Sequence, residues 1–257
     1  MLKRVLSGLV GAPLLIYILF TGGTLLYFAV TIVSLIALYE FYNAFKTKEY
    51  NPVSIVGYIF SVLILTDFFY TRSYLLLILI FLFFVCSVII LVQEKYNMLD
   101  IMVTIIGLIY VSLFLGHILL TSNLQLNVGI WLIFIIAWAT DTFAYFTGYF
   151  LGKNKLCPTI SPKKTVEGAI GGIIGSTVSC IVFSMYFIEA NLIYVALLGS
   201  IGSVIAQMGD LFASKIKRYI GIKDFGNIMP GHGGILDRFD SIIFVAPIVY
   251  YFLFYAI

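Results

Sequence analysis

"YLLLILIFLFFVCSVIILV", Tyr74 to Val92, runs for nineteen residues without a charge. A spanning helix needs about 20 apolar residues to cross roughly 30 Å of hydrocarbon. This run therefore predicts a membrane-crossing helix, and similar runs recur along the chain between polar or glycine-rich breaks. Together they predict about nine transmembrane helices, over 5–21, 24–42, 53–69, 74–92, 100–120, 128–149, 166–187, 191–209 and 236–256. The expected fold class is all-α, a polytopic integral membrane helical bundle.

Composition agrees. The chain is 62% hydrophobic and 11% charged, with a mean hydropathy of +1.10; soluble domains carry about 25% charged residues. Nine spans in 257 residues leave no room for a large extramembrane domain. A single integral membrane domain, 1–257, is expected, with N-terminal helices in 1–125 and catalytic helices and cytoplasmic loops in 128–257. The net charge of +3 is not gathered into a soluble basic arm or face, which argues against nucleic acid as a partner. Cys86, Cys157 and Cys180 are odd in number and unpaired in spacing, so neither a disulfide framework nor a metal knuckle is expected. The first twenty residues imitate a secretory signal but lack a small-residue cleavage site. A second apolar run follows Gly22-Gly23, and a retained first span is expected.

Orientation follows from the loops. With nine crossings and a cytoplasmic N-terminus, one side receives 14 of the 15 basic residues and the other only Arg72. The expected C-terminus is external. The long segments on the basic side, 150–165 and 210–235, hold the unusual chemistry, so the active site is expected at the cytoplasmic membrane boundary.

Charges inside apolar helices need a reason, because an acid at mid-span costs about 2.5–3.5 kcal/mol on insertion scales. Asp141 shares a helix face with Tyr145 and Gly148 and serves either a packing hydrogen bond or a site. In "SPKKTVEG" (161–168), Ser161-Pro162 predicts a helix start, placing Lys163 and Lys164 in the first turn. There they would hold an anion or snorkel to headgroups. The helix through Asp210 is expected to continue to about Tyr219, with Asp210, Ser214 and Lys217 on one stripe and Arg218 beside it. Asp237 and Asp240, three apart, open the last helix. Three carboxylates converging at a boundary repel unless a cation neutralises them or one of them keeps a proton, and all-oxygen ligands favour Mg²⁺ or Mn²⁺ over zinc. Glycines around His232 allow close approach of backbone N–H groups to an anion. Lys217, Arg218, Lys223 and Arg238 add positive field. Acids for a metal beside bases for phosphates suit a nucleoside triphosphate.

Small residues at four-residue spacing, Gly168/Gly172, Gly171/Gly175, Gly199/Ser203 and Gly202/Ala206, predict close helix packing in lipid.

"SKIKRYIGIKDFGNIMPGHGGILDRFDS", Ser214 to Ser241, resembles the signature of the phosphatidate cytidylyltransferases, or CDP-diacylglycerol synthases. The residues that carry it include Ser214, Lys217, Arg218, Lys223, Asp224, Gly226, Pro230, His232, Gly233, Gly234, Asp237, Arg238 and Asp240. Met229 replaces a commoner leucine, and Phe225 a small residue. "DTFAYFTGYFLGK" and "SPKKTVEG" upstream resemble the same family. The resemblance implies transfer of the CMP moiety of CTP to phosphatidic acid, giving CDP-diacylglycerol and pyrophosphate. It also implies divalent metal, Mg²⁺ or Mn²⁺, in a pair that can include a monovalent ion such as K⁺, and a homodimer in a bacterial inner membrane. Asp210 and Asp237, then Asp240, become metal-ligand candidates. Asp210, Asp237, Lys217, Arg218 and Arg238 are the catalytic candidates. Asp141, Lys163, Lys164, Ser214, Lys223, Asp224, His232, Gly233 and Gly234 are the substrate-binding candidates. A transporter would place charges near mid-span in two similar halves, and a CDP-alcohol phosphotransferase would place several aspartates along two adjacent spans. Neither pattern is present.

Overall fold

The structure, a computed structural model, describes residues 2–124, 128–228 and 233–256, with side chains from residue 11 to 255 within those ranges. Nine helices follow one another among the described residues. They are α1 (Leu2–Thr21), α2 (Gly23–Lys46), α3 (Ser54–Thr71), α4 (Leu75–Val92), α5 (Met98–Ser122), α6 (Ile130–Leu151), α7 (Val166–Phe187), α8 (Leu192–Ile220) and α9 (Leu236–Ala256). Eight, α2 to α9, are long and apolar enough to cross a membrane; the described apolar part of α1, Gly11–Thr21, is shorter. The helices expected from sequence are all present, and the protein is a helical integral membrane protein. One turn at the end of α3 (Asp67–Thr71) and one inside α5 (Leu108–Leu113) are π-helical.

The chain divides into two compact units, residues 1–120 with 220–238, and 121–219 with 239–257. In the first, Tyr42 of α2 is fully buried and its hydroxyl donates to the Thr104 carbonyl at 2.9 Å. Gly57 and Gly107 face the Tyr42 ring, and a Cβ at either would overlap it. Asp100, 1% exposed, closes a capping box with Asn97 at the start of α5 and accepts from Asn51 N at 2.6 Å. This acid is satisfied by backbone donors and braces the turn before α3. His117 of α5 is 5% exposed. Its Nδ1 bonds the Leu113 carbonyl at 2.8 Å and its ring stands edge-on to Phe68.

The second unit is built on glycine. On α7, Gly168 and Gly172 lie on α6, where an added Cβ would stand 2.8 Å from the Ala144 carbonyl and 3.0 Å from the Thr140 carbonyl respectively. Gly171 and Gly175 meet Thr147 and Phe143. Both expected glycine rows therefore face one neighbour, and the α6 and α7 backbones approach as small residues in lipid allow. Gly199 brings α8 onto α7, where a Cβ would lie 2.8 Å from Thr177 Cα, and Gly202 faces Ile136 of α6. A buried polar contact, Thr140 Oγ1 to Ser203 Oγ at 2.9 Å, crosses the same seam. Cys86 and Cys180 are buried free thiols and Cys157 is a half-buried one, as expected of small apolar fillers.

One element differs from expectation. Ser161-Pro162 does not open a helix; Lys155–Cys157 (β1) and Ser161–Thr165 (β2) pair antiparallel, with Lys155 opposite Thr165 and Cys157 opposite Ser161. The helix starts one hairpin later because Thr165 supplies the better cap. Its backbone is extended and its Oγ1 accepts from Gly168 N at 3.1 Å. Glu167 then ties the hairpin down, accepting from Lys153 N at 3.1 Å and from Asn154 Nδ2 at 2.8 Å. Thr165→Val removes the cap and should cost about 1 kcal/mol. It should appear as a lowered unfolding temperature in detergent, with the hairpin frayed in hydrogen exchange.

Candidate active site

In the second unit, helix α8 carries the first acid. Its 29 residues span roughly 43 Å at 1.5 Å per residue, more than the hydrocarbon core. Asp210, Ser214, Lys217 and Arg218 lie in its last turns. Ser214 Oγ donates to Asp210 Oδ1 at 3.5 Å, so the expected stripe forms. Lys217 is 8% exposed, and Arg218 is exposed.

Asp240, in the second turn of α9, is half-buried and lies within electrostatic reach of Asp210, Lys217 and Asp141. Gly209 makes this approach feasible. A Cβ there would lie 2.6 Å from the Asp240 carbonyl oxygen and 3.1 Å from Phe244 Cβ. Phe212 and Phe244 close the same contact, with ring centroids 5.5 Å apart. Gly209 was not singled out from the sequence; the signal was its place beside the acid.

Lys164 forms an ion pair with Asp210, Nζ to Oδ2. It sits in β2 rather than in a helical turn, so the loop's cations are presented by a hairpin. Both side chains are about a quarter exposed, 27% and 26%, which leaves the pair partly screened. Removing the lysine alone exposes Asp210 to Asp240. A double-mutant cycle with Lys164→Met and Asp210→Asn should give a coupling of about 1 kcal/mol in stability, measured by denaturation in detergent.

Beside this cluster lies a cleft of ≈ 470 Å³. Its floor is Gly148 and Gly168, and its walls include Asp141, Tyr145, Tyr149, Lys155, Lys163 and Lys164. Asp141, Tyr145 and Gly148 do share one face of α6, and that face looks into the cleft. Tyr145 and Tyr149 stack, with centroids 6.3 Å apart. Gln207 of α8 also lines it, its amide donating to the Ala169 carbonyl at 3.1 Å. Lys155 and Gln207 had no distinctive motif to mark them, and Tyr149 lay within the quoted stretch Asp141–Lys153 without being singled out.

The first unit holds the other signature residues. Asp237 is 6% exposed, and its Oδ2 accepts from Phe225 N at 2.8 Å and Gly234 N at 3.0 Å. Gly233 adopts φ +88°, with Asp237 Oδ2 and Asp224 Cβ at 3.2 and 3.3 Å from where a Cβ would stand. Here a glycine is required twice over, by the left-handed backbone and by space. Lys223, Asp224 and Arg238 are exposed. Met229, Pro230, Gly231 and His232 lie outside the described residues.

Another residue of this unit was missed. Glu40 of α2, 2% exposed, accepts from Ile235 N at 3.1 Å and Leu236 N at 2.8 Å. Its signal was legible: an acid inside a run otherwise expected to contribute only hydrophobicity.

Among the described residues no group of three His, Cys, Asp or Glu side chains stands ready as a complete metal-ligand set. The oxygen-only donors of Asp210 and Asp240 nonetheless suit a hard divalent cation. Mg²⁺ is held by one or two carboxylates together with water and substrate phosphates rather than by an all-protein cage.

The sequence profile described as the cytidylyltransferase family matches residues 2–256. A phosphatidate cytidylyltransferase of Staphylococcus haemolyticus is 37% identical over 96% of both chains. That of Bacillus subtilis is 32% identical over 98% of this chain and 97% of its own. That of Staphylococcus aureus is 37% identical over 96% of both. With the match running from end to end and the acid–lysine cluster in place, the chain belongs to the cytidylyltransferase family.

Proposed function

We infer that this protein is a phosphatidate cytidylyltransferase, moving the CMP moiety of CTP onto phosphatidic acid to form CDP-diacylglycerol in phospholipid biosynthesis. The observation that carries the reading is the Lys164–Asp210 pair beside Asp240, at the rim of a lysine-walled cleft the size of a small-molecule site.

A phosphate-monoester oxygen of the lipid attacks the α-phosphorus of CTP. The new P–O bond forms as the α–β bridging bond breaks, and its electron pair leaves with pyrophosphate. Near neutral pH a phosphate monoester is already largely ionised, so no general base has to create the nucleophile. The difficulty is bringing two anions together in line, and fixed cations supply that positioning. Lys164 is paired with Asp210; were Asp210 to hold a divalent cation, the lysine would be available to a phosphate oxygen. Lys163 and Lys155 draw the second anion into the cleft. Lys217 holds charge on the acid side, while Arg218, Lys223 and Arg238 add field for the triphosphate. Ser214 and Asp141 orient ligands around Asp210, and Asp224, Gly233 and Gly234 are the substrate-binding candidates of the signature loop, with His232, outside the described residues, a candidate from sequence alone.

Asp210 and Asp240 would hold a divalent metal, Mg²⁺ or Mn²⁺, with Asp237 a further ligand candidate, and it would supply charge neutralisation for the leaving pyrophosphate. Ligating carboxylates are commonly fixed by hydrogen bonds, and the two amides on Asp237 Oδ2 are bonds of that kind. A monovalent ion such as K⁺ suits a second position. The 14-to-1 division of basic residues supports a cytoplasmic N-terminus and external C-terminus in a bacterial inner membrane, where CTP arrives from the cytosol. A homodimer is the assembly the family resemblance implies.

The test is direct. Purified protein with labelled CTP and phosphatidate in mixed micelles should yield labelled CDP-diacylglycerol and pyrophosphate only when Mg²⁺ is present. Label released as CMP without any labelled lipid, or transfer indifferent to chelation, would overturn the reading.

A further inference from the structure

We propose that Glu40, far upstream in α2, is a positioning residue for the glycine-rich signature segment, clamping it through its backbone; the catalytic consequence rests on the reading above. Its two carboxylate oxygens each take one of two successive N–H donors, Ile235 to Oε1 and Leu236 to Oε2. Leu236 is the first residue of α9, so these are unsatisfied donors of a helix N-terminus. The carboxylate also sits at the positive end of the helix dipole.

Three further observations make this a built clamp. Gly226 and Gly234 both face the Glu40 carboxylate so closely that a Cβ at either would overlap it. Two signature glycines are thus required by an acid about 190 residues upstream, not only by their own turns. Phe41, the next residue of α2, is fully buried and its ring packs against Phe225, with centroids 6.5 Å apart. The signature phenylalanine that replaces a small residue is therefore seated on the same helix. Asp237 meanwhile takes Phe225 N and Gly234 N. Four amides between Phe225 and Leu236 are held by two acids, and the outer acid is Glu40.

The arrangement demands a carboxylate. Both oxygens act as acceptors, whereas a carboxamide would turn an N–H₂ group towards a backbone N–H. Glu40→Gln should release one end of the segment while keeping volume and shape.

Hydrogen exchange on the full-length protein in detergent reads the clamp without reference to activity. The amides of Phe225, Gly234, Ile235 and Leu236 should exchange at least about 10-fold faster in Glu40→Gln than in wild type. On the reading above, kcat/KM should fall roughly 30-fold, with the Mg²⁺ concentration for half-maximal rate raised. Asp100→Asn is the control: an equally buried acid of the same unit, it should lower the unfolding temperature without altering either readout. If Glu40→Gln does not fold, Gly226→Ala pushes on the carboxylate from the other side and should reproduce the pattern. Unchanged exchange at these four amides would overturn the clamp, and faster exchange with unchanged kcat/KM and Mg²⁺ requirement would overturn its role in positioning. Wild-type protein that makes no CDP-diacylglycerol would sink the cytidylyltransferase reading, and the exchange comparison would still decide the clamp.

Discussion

Asp240→Asn is expected to lower kcat/KM by roughly three orders of magnitude while leaving the protein at least as stable as wild type. The two effects separate because the residue sits in a crowded field. Asp210, Asp141 and Lys217 all act on it, and Lys164 is already engaged by Asp210. Without bound substrate the acids outnumber the lysines, so removing one negative charge relieves repulsion. Catalysis needs that same charge, because a neutral amide holds a divalent cation poorly and leaves the departing pyrophosphate uncompensated. Pyrophosphate release and thermal unfolding in detergent measure the two halves. Activity within tenfold of wild type would remove Asp240 from the site.

Gly209→Val should be nearly as damaging for a different reason. Its Cβ has no place 2.6 Å from the Asp240 carbonyl oxygen, so α8 and α9 must separate locally. Overpacking of this kind costs about 1–3 kcal/mol, and a displacement near 1 Å in a reacting geometry can cost about 100-fold in rate. The expected result is a protein that still inserts and purifies but loses roughly 100-fold in kcat/KM. Gly209→Ala should be milder. Wild-type kinetics in the valine variant would mean that the α8–α9 contact does not set the distance between the acids.

Helices were legible in the sequence because a bilayer imposes one length and one polarity on every span. The run Tyr74 to Val92 needs no tertiary knowledge to be read. The acids of the signature were legible because charge is costly there, and Asp210, Ser214 and Lys217 kept the stripe that helical periodicity assigned them. The start of α7 was not. Ser161-Pro162 and Thr165 both carry start signals, and only the pairing of β1 with β2 decides between them. Glu40 and Gly209 escaped for a related reason. One acts on backbone distant in sequence and the other by being small, so an acid in an apolar run and a glycine beside an acid were visible while their partners were not. Asp237 is a metal-ligand candidate from its spacing, and its Oδ2 also accepts from two backbone amides, a second role that only the folded loop reveals.

The glycine floor of the cleft limits how this enzyme could be reshaped. Where α6 and α7 touch through Gly148 and Gly168, main chain lies against main chain, and no side chain remains to trim. Anyone wishing to admit a bulkier headgroup would have to carve the tyrosine wall instead, because deepening the pocket would mean parting the two helices themselves.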